Sequence, residues 1–445
     1  MRIALNTLAL HRIKAGMGNY IYQLVHQLAK LDKENDYLIY ISKKNKHFFA
    51  DIQQPNFFFI TVPSLLSTPT TKIIWEQFIL PFSLLRHNID VYHALGFAQS
   101  FLGVFLGKVR GIFGKPLQSF VTIADMTFHT HHEYHTFLKA LYFRLMIPLS
   151  VRISDTIITI SNSTKKDLLS LVQIPEKKVH TIYLAADTCF LPLRKKKDNG
   201  KKEKGDDGKE EKRDDKKEEG IKGGEWRREK LEEKKEREDE GEREAEKKVM
   251  EKYHIEHPFI LFVGVLEPRK NVVGLLRAFA ELLRENRRLC KYRLVLVGEK
   301  GWHYQSIFDE VRQLHLENHV VFTGFVSDED LVLFYNTAAV FVYPSFYEGF
   351  GIPVLEAMQC GCPVITSKNS SLSEIASKEK DAACFVDPHD MKSITAALHK
   401  ILNEKPYRQL LIKQGWKNTK HFSWEVMTQE MLNLYMKRAF KNDKR

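Results

Sequence analysis

Short apolar, β-branched runs alternate with helical patterns along both halves of this chain, and that alternation restricts the fold more than any other feature. In the second half FILFVGV, YRLVLVG, VVFTGF, VFVYPS and PVITS are each followed by a helix-like stretch. In the first half RIALNTLA, YLIYIS, FFFITV, DVYHAL, FVTIAD, TIITIS and VHTIYLA read as strands. NYIYQLVHQLAKL and STKKDLLSLV read as amphipathic helices, the former after a turn at Gly16-Met17-Gly18. Continuous apolar strands interleaved with helices belong to parallel sheets covered on both faces. The fold class expected is therefore α/β: two Rossmann-like, doubly wound domains facing across a cleft, with ligands at the carboxyl ends of the strands.

One segment breaks the pattern. Residues 194–249 hold 22 basic and 21 acidic side chains and almost nothing apolar. Such a tract cannot bury enough surface to offset chain entropy, so it is expected to be disordered or at most a solvated helix. It divides the chain into a first domain, 1–190, a charged linker insert, 191–250, a second domain, 251–420, and a C-terminal helical segment, 421–445. The net charge of +12 resides outside the insert, because the insert's charges nearly cancel. A basic folded surface suits phosphorylated ligands or anionic lipids as well as nucleic acid. With no zinc finger, basic zipper or RNP motif, no nucleic-acid partner is expected. No run approaches the roughly 18 apolar residues of a membrane span, and the N-terminus lacks a secretory signal. Five cysteines in no paired pattern fit a reducing cytoplasm.

Two stretches carry chemistry. In VGVLEPRKN a strand ends at Gly264, and Arg269 and Lys270 follow at the ligand-binding edge of the sheet. Arginine grips phosphate through a planar fork and lysine acts as a point charge; a solvated basic pair ahead of the next helix is the structural alternative. In FYEGFGIPVLEAMQCGCPVI, Gly349, Phe350 and Gly351 form a tight turn, Pro353 suits a first helical turn and Gly361 a helix end. Glu356 then sits on a helix of about eight residues, with Glu348 in the loop before it. Ionised carboxylates there suit hydrogen bonds from sugar hydroxyls; helix capping is the alternative for either one alone.

The stretch YEGFGIPVLEAMQCGCPVI resembles the E-x7-E signature of the family-4 retaining glycosyltransferases of the GT-B fold. The resemblance continues through VGVLEPRKN, LVLVGEKG, VVFTGFVSDEDL and SNSTKKDL, the glycines Gly16 and Gly18, and FSWEVM. It covers nearly the whole chain outside the insert. It implies that the first domain binds the acceptor, that the second binds a nucleotide sugar, and that the C-terminal helix returns to the first domain. By the same resemblance Arg269 and Lys270 hold the donor diphosphate, Glu348 contacts the donor sugar and Glu356 the ribose. The backbone of Gly349, Phe350 and Gly351 lies along the sugar and phosphates. Gly264 ends the strand behind them, Gly324, Phe325 and Val326 border the base, Gly18 approaches the phosphate from the first domain, and Asp125 lines the cleft.

The implied activity is metal-independent transfer of a hexose, mannose or glucose-type, with retention, by front-face attack, from GDP-mannose or a UDP-hexose to a glycan or lipid-linked acceptor. Cell-surface polysaccharide synthesis is the implied setting, with no cofactor beyond the co-substrate. One position departs from the pattern: relatives carry His before the cleft Asp, and here it is Ala124. That leaves a catalytically silent sugar-nucleotide binder as the alternative. His93 and the cluster His129, His131, His132 and His135 lie nearby in sequence without an assigned role. Asp328-Glu329-Asp330 follows Ser327 and reads as a helix start rather than a metal motif, and Ser161 reads as a helix cap. FLGVFLGKVRGIFGKP, residues 101–116, suits either contact with a membrane surface or lipid-linked glycan, or a core helix followed by a loop.

Because lengthening a flexible link costs only about 0.6 kcal/mol per doubling, replacing Lys196–Glu246 by a short Gly/Ser link is expected to leave fold and turnover nearly unchanged. A large loss of turnover in a folded, monodisperse deletion variant would show that the insert takes part in closure or catalysis.

Overall fold

The computed structural model describes residues 1–10, 16–63, 69–112, 114–130, 137–193, 244, 246–255 and 258–440. Two parallel sheets organise it. The first, seven-stranded in the order β3-β2-β1-β4-β5-β6-β7, contains β1 (Arg2–Asn6), β2 (Asp36–Ser42), β3 (Phe57–Val62), β4 (Val91–Ala94), β5 (Gln118–Ile123), β6 (Thr156–Thr159) and β7 (Val179–Thr181). The second, six-stranded in the order β10-β9-β8-β11-β12-β13, contains β8 (Phe259–Val263), β9 (Arg293–Val297), β10 (Val320–Gly324), β11 (Val340–Tyr343), β12 (Val364–Ser367) and β13 (Cys384–Val386). The strand order reverses direction between β1 and β4 in one sheet and between β8 and β11 in the other, which opens a crevice at each carboxyl edge. Nearly all of the insert, 194–243 and 245, lies outside the described residues; its last residues join a helical turn in which Val249 and Met250 are buried.

In the first domain the helices are α1 (Gly16–Leu31), α2 (Pro69–Ile74), α3 (Leu80–Arg86), α4 (Phe101–Arg110), α5 (Thr127–Thr130), α6 (Phe137–Ile153) and α7 (Asn162–Leu171). A π-helical turn, Trp75–Ile79, joins α2 to α3. In the second they are α8 (Val272–Glu285), α9 (Gln305–Gln313), α10 (Asp328–Thr337), α11 (Ile352–Gln359), α12 (Ser370–Ile375), α13 (Met391–Asn403), α14 (Lys405–Thr419) and α15 (Trp424–Phe440). Gly16-Met17-Gly18, expected as a turn, instead forms the first turn of α1. The apolar stripe Tyr20, Ile21, Leu24, Val25 and Leu28 is buried, and packing this stripe offsets the modest cost of two glycines near a helix start.

The period-2 alternation of the strands splits the first domain's core in two. Ile3, Leu5, Tyr37, Ile39, Val91 and Phe120 face one side, in a cluster continuous with the second domain. Ala4, Leu38, Tyr40, Tyr92, Val121 and Ile123 face the other, packed on Leu80, Leu84, Val104, Ile147 and Val151. The C-terminal helix α15 crosses back to pack on α1. Its Tyr435 hydroxyl lies 2.6 Å from His93 Nδ1, whose Nε2 is 2.9 Å from Thr122 Oγ1. Tyr20 meets the same Thr122 at 3.0 Å. His93 is thus a buried tie between the first sheet and the last helix, and burial holds its imidazole down at about 3.

Tyr435→Phe leaves His93 Nδ1 buried without a partner and is expected to cost about 1–3 kcal/mol in urea unfolding; an unchanged midpoint would contradict the tie. Since the unfolded imidazole titrates near 6.5 and the folded one near 3, His93 contributes stability above pH 6.5 that is lost as pH falls toward 3.

Candidate functional site

The second sheet's switch point gathers the charged residues. After β8, Gly264 turns the chain, and a 3-10 turn, Pro268–Lys270, follows. After β11, the chain runs through Tyr347 and Glu348 into the glycine turn and α11. Arg269 Nη1 donates to Glu348 Oε2 at 2.8 Å and to the Tyr347 carbonyl at 2.7 Å, while Nη2 donates to Glu267 Oε1 at 2.7 Å. Lys270 Nζ donates to Glu348 Oε1 at 2.6 Å and to the Tyr343 hydroxyl at 2.6 Å. Lys270 and Glu348 are buried. The turn itself is held by Ser371, whose hydroxyl lies 2.8 Å from the carbonyl oxygens of both Glu348 and Phe350. Gly351 adopts φ +102°, and a Cβ there would come 2.6 Å from Leu372 Cδ2, so only glycine fits.

The two glutamates sit in opposite electrostatic settings. Burial alone would raise the Glu348 carboxyl, but the charges of Arg269 and Lys270 outweigh it and bring it to about 2. Burial and the adjacent Arg269 push the Lys270 ammonium down. Arg269, Lys270, Glu267 and Glu348 together form a neutral set. The named bonds use two of the three Nζ hydrogens of Lys270 and three of the five guanidinium hydrogens of Arg269. One hydrogen of Lys270 and two of Arg269 are therefore left over by these bonds. Glu356, on α11, is buried against Tyr335 of α10, whose hydroxyl donates to Oε2 at 3.0 Å. Burial raises Glu356 to about 8, the Tyr335 bond offsetting part of this and Asp328 and Asp187 adding to it. That shift favours the protonated carboxyl, which can both donate and accept.

The first domain meets this site closely. A Cβ on Gly349 would lie 2.3 Å from the Ala124 carbonyl oxygen and 3.0 Å from Asp125 Cβ. Glycine at 349 is thus what lets the two domains touch beside Glu348. Asp125 Oδ1 accepts from Thr127 N at 3.0 Å and Oγ1 at 2.6 Å, fixing the start of α5. Tyr347 donates to Asp167 Oδ2 of α7 at 2.6 Å. Glu374 of α12 accepts from Asn162 N at 2.9 Å and Ser163 N at 3.1 Å, a carboxylate at the positive end of α7. Tyr183 donates to the same carboxylate at 2.5 Å.

The structure therefore brings together Arg269, Lys270, Glu348, Gly349 and Asp125. Gly264 lies directly beyond β8; Gly324 ends β10, and Phe325 and Val326 follow it, with Phe325 58% exposed and Val326 buried. Gly18 is buried inside α1. Tyr343, Glu267, Tyr347, Asp167 and Glu374 were not foreseen. Glu267 and Tyr347 lie within the chemistry-bearing stretches, but their partners are set by tertiary packing. Ser327 caps α10 at Asp330 N, and Ser161 caps α7 at Thr164 N, both as read. Asp330 is also bound by Lys252 at 2.8 Å and Tyr253 at 2.7 Å. His131, His132 and His135 lie outside the described residues. Among the described residues, no group of three or more His, Cys, Asp or Glu side chains could hold a metal ion.

Comparison with known proteins bears on the family and the fold. Residues 243–418 match the family model for glycosyl transferases group 1, and residues 15–189 that for glycosyltransferase family 4. An O-antigen chain mannosyltransferase B of Escherichia coli is 30% identical over 315 residues, 71% of this chain and 69% of that protein. The serotype-specific mannosyltransferase WbdA of Escherichia coli is 34% identical over 192 residues, but this match spans only 23% of WbdA. Among solved structures, a sucrose-phosphate synthase from Thermosynechococcus elongatus aligns over 98% of both chains with a TM-score of 0.68 and 18% identity. The HepE protein of Anabaena, solved with UDP and glucose, aligns over 98% of this chain and 100% of its own with a TM-score of 0.67 and 13% identity.

Glu356 also sets a pH dependence. The unfolded carboxyl releases its proton near 4.5 and the folded one near 8, so native stability falls as pH rises through that window. Glu356→Gln removes this loss: between pH 5 and 8 the variant is expected to gain about 3 kcal/mol on the native protein in urea unfolding. Parallel pH profiles would contradict a buried, protonated Glu356. Glu348→Ala, which takes the carboxylate from Lys270 and leaves Arg269 with Glu267 alone, is expected to destabilise by about 3–5 kcal/mol at pH 7.

Proposed function

Because this chain belongs to the group 1 glycosyl transferases, we propose that it moves a hexose, mannose in the first instance, from a nucleotide-diphosphate sugar to a glycan or lipid-linked acceptor with retention at the anomeric carbon. The observation that carries the reading is the buried Arg269–Lys270–Glu348 cluster at the switch point of the second sheet, facing Asp125 across the domain contact. Mannose and polysaccharide synthesis are favoured by the names of the Escherichia coli relatives, and GDP-mannose is the donor to test before the UDP-hexoses.

In this reading the unused donors of Arg269 and Lys270 receive the diphosphate and stabilise the charge that grows on it as the glycosidic bond breaks. Glu348 holds both cations in place and meets the hexose hydroxyls; Glu356 holds the ribose; Gly324, Phe325 and Val326 border the base. Gly349, Phe350 and Gly351 lie along the phosphates, and Gly18 approaches from the first domain. Glu348 is engaged by two cations and Asp125 by the start of α5, an arrangement that favours front-face attack over a glycosyl-enzyme intermediate. The acceptor hydroxyl enters on the side the diphosphate leaves, and the leaving phosphate takes its proton. The two cations supply the counter-charge from the protein itself, so the reaction is proposed to run without a divalent ion. The five cysteines are free thiols, the state a reducing cytoplasm maintains, and the reaction is proposed to take place there.

Transfer from GDP-mannose to a mannosyl acceptor, detected by mass spectrometry and surviving EDTA, is the expected result, and Lys270→Ala is expected to lower it at least roughly 100-fold. Nucleotide binding without transfer from any donor, or inhibition by EDTA reversed by magnesium, would overturn the respective parts of this reading.

A further inference from the structure

The first domain carries an apolar face that no part of the described chain covers. Along the α2–α3 run Ile74, Phe78, Ile79 and Phe82 are exposed, with Phe78 and Phe82 each 63% accessible. On and just beyond α4, Phe105, Val109 and Ile112 form a second stripe, with Ile112 75% accessible. On α6, Leu141, Leu145 and Leu149 form a third at i, i+4, i+8. These helices are neighbours: α3 packs on α4, and α4 on α6. Each buries its inner side, through Leu80 and Leu84, Val104, or Ile147 and Val151, against the same face of the first sheet. Their outer stripes therefore form one layer pointing away from that sheet. Soluble monomers rarely leave so continuous an apolar surface uncovered.

The charges on this layer choose its occupant. Segments 69–86, 101–112 and 137–153 contain seven basic residues and one acidic residue, Glu76. Glu76 is buried, bonded to Asn6 at 2.8 Å. Arg86, Lys108, Arg144 and Arg152 are all exposed. Asp155, beyond the end of α6, pairs with Lys108 at 3.3 Å. A second copy of the same face would meet it with like charge, whereas an anionic bilayer offers hydrocarbon for the phenylalanines and phosphate for the arginines. Among the described residues no helix is long and apolar enough to cross a membrane, so the contact is to the surface. We propose that this three-helix face docks the protein on an anionic lipid surface. The sequence reading of 101–116 touched only its middle stripe. The proposal does not rest on the transferase reading, since docking is read with no sugar present.

The test is vesicle flotation of the full chain with phosphatidylcholine vesicles, with and without phosphatidylglycerol, for the native protein and two variants. One is Phe78→Ser/Phe82→Ser/Phe105→Ser/Ile112→Ser; the other, Arg86→Ser/Arg144→Ser/Arg152→Ser, keeps the apolar stripes should the first variant fail to fold. Far-UV circular dichroism checks folding, and donor turnover on a water-soluble acceptor is measured in the same samples. Expected is at least tenfold tighter binding to the anionic vesicles, a tenfold or greater loss in each folded variant, and unchanged turnover. Native protein that stays unbound, binds both vesicle types equally, or binds undiminished in the folded variants overturns the proposal. So does a dimer in sedimentation velocity that the serine variant abolishes while vesicles bind neither form. Docking that behaves as expected without any sugar transfer would overturn only the transferase reading.

Discussion

Two cations side by side in a desolvated pocket can be kept only if carboxylates sit between them, and the site is arranged around that requirement. Removing Arg269 and Lys270 from water is costly, and their mutual repulsion adds to the cost. Glu348 answers both at 2.8 and 2.6 Å, and Glu267 answers Arg269 at 2.7 Å. The cations come from the end of β8 and the carboxylate from the end of β11, adjacent strands at the point where the sheet order reverses. The sheet topology thus brings two adjacent cations and a carboxylate 78 positions beyond Lys270 into one pre-formed cluster. Such a cluster is already oriented before a ligand arrives, which is what electrostatic stabilisation of a leaving group needs.

The same loop after β11 makes the contact between the domains. Tyr347 binds Asp167, Glu348 binds the cations, and Gly349 lies against the Ala124 carbonyl. Any side chain at 349 would have to push the first domain away. Glu374, answering the amide hydrogens at the start of α7, fixes a second point of the contact, and α15 with its Tyr435–His93 bond fixes the far side. Closure and charge arrangement are therefore coupled through three consecutive residues. Ala124 matters here through its backbone: its carbonyl oxygen is what Gly349 approaches, and its small side chain is buried.

Much of this was legible in the sequence, for definable reasons. Short continuous apolar, β-branched runs marked the strands, and glycine and proline punctuation marked α11 to within its ends, because backbone preferences are local. Arg269, Lys270, Glu348 and Glu356 stood out through residue type and spacing. The glycine pair at 16 and 18 was misread as a turn because the buried stripe after it, a tertiary effect, extends the helix back over both glycines. The mutual pairing of Arg269 and Lys270 with Glu348 was beyond reach, since it joins two strands whose adjacency no local pattern states. So was the split between Glu348 at about 2 and Glu356 at about 8: both are buried glutamates, and only the neighbours in space decide which one stays charged. His93 illustrates the same limit, an unassigned histidine whose part is to tie α15 to the first sheet.

The central claim is that the ion cluster receives a diphosphate as it stands, with Glu348 still holding both cations. A crystal structure of the protein with GDP or UDP tests it directly. The expected density places the diphosphate within hydrogen-bonding distance of Arg269 and Lys270, with both Glu348 contacts retained and the ribose beside Glu356. A nucleotide bound elsewhere, or Glu348 expelled from the cations by the phosphate, would contradict it.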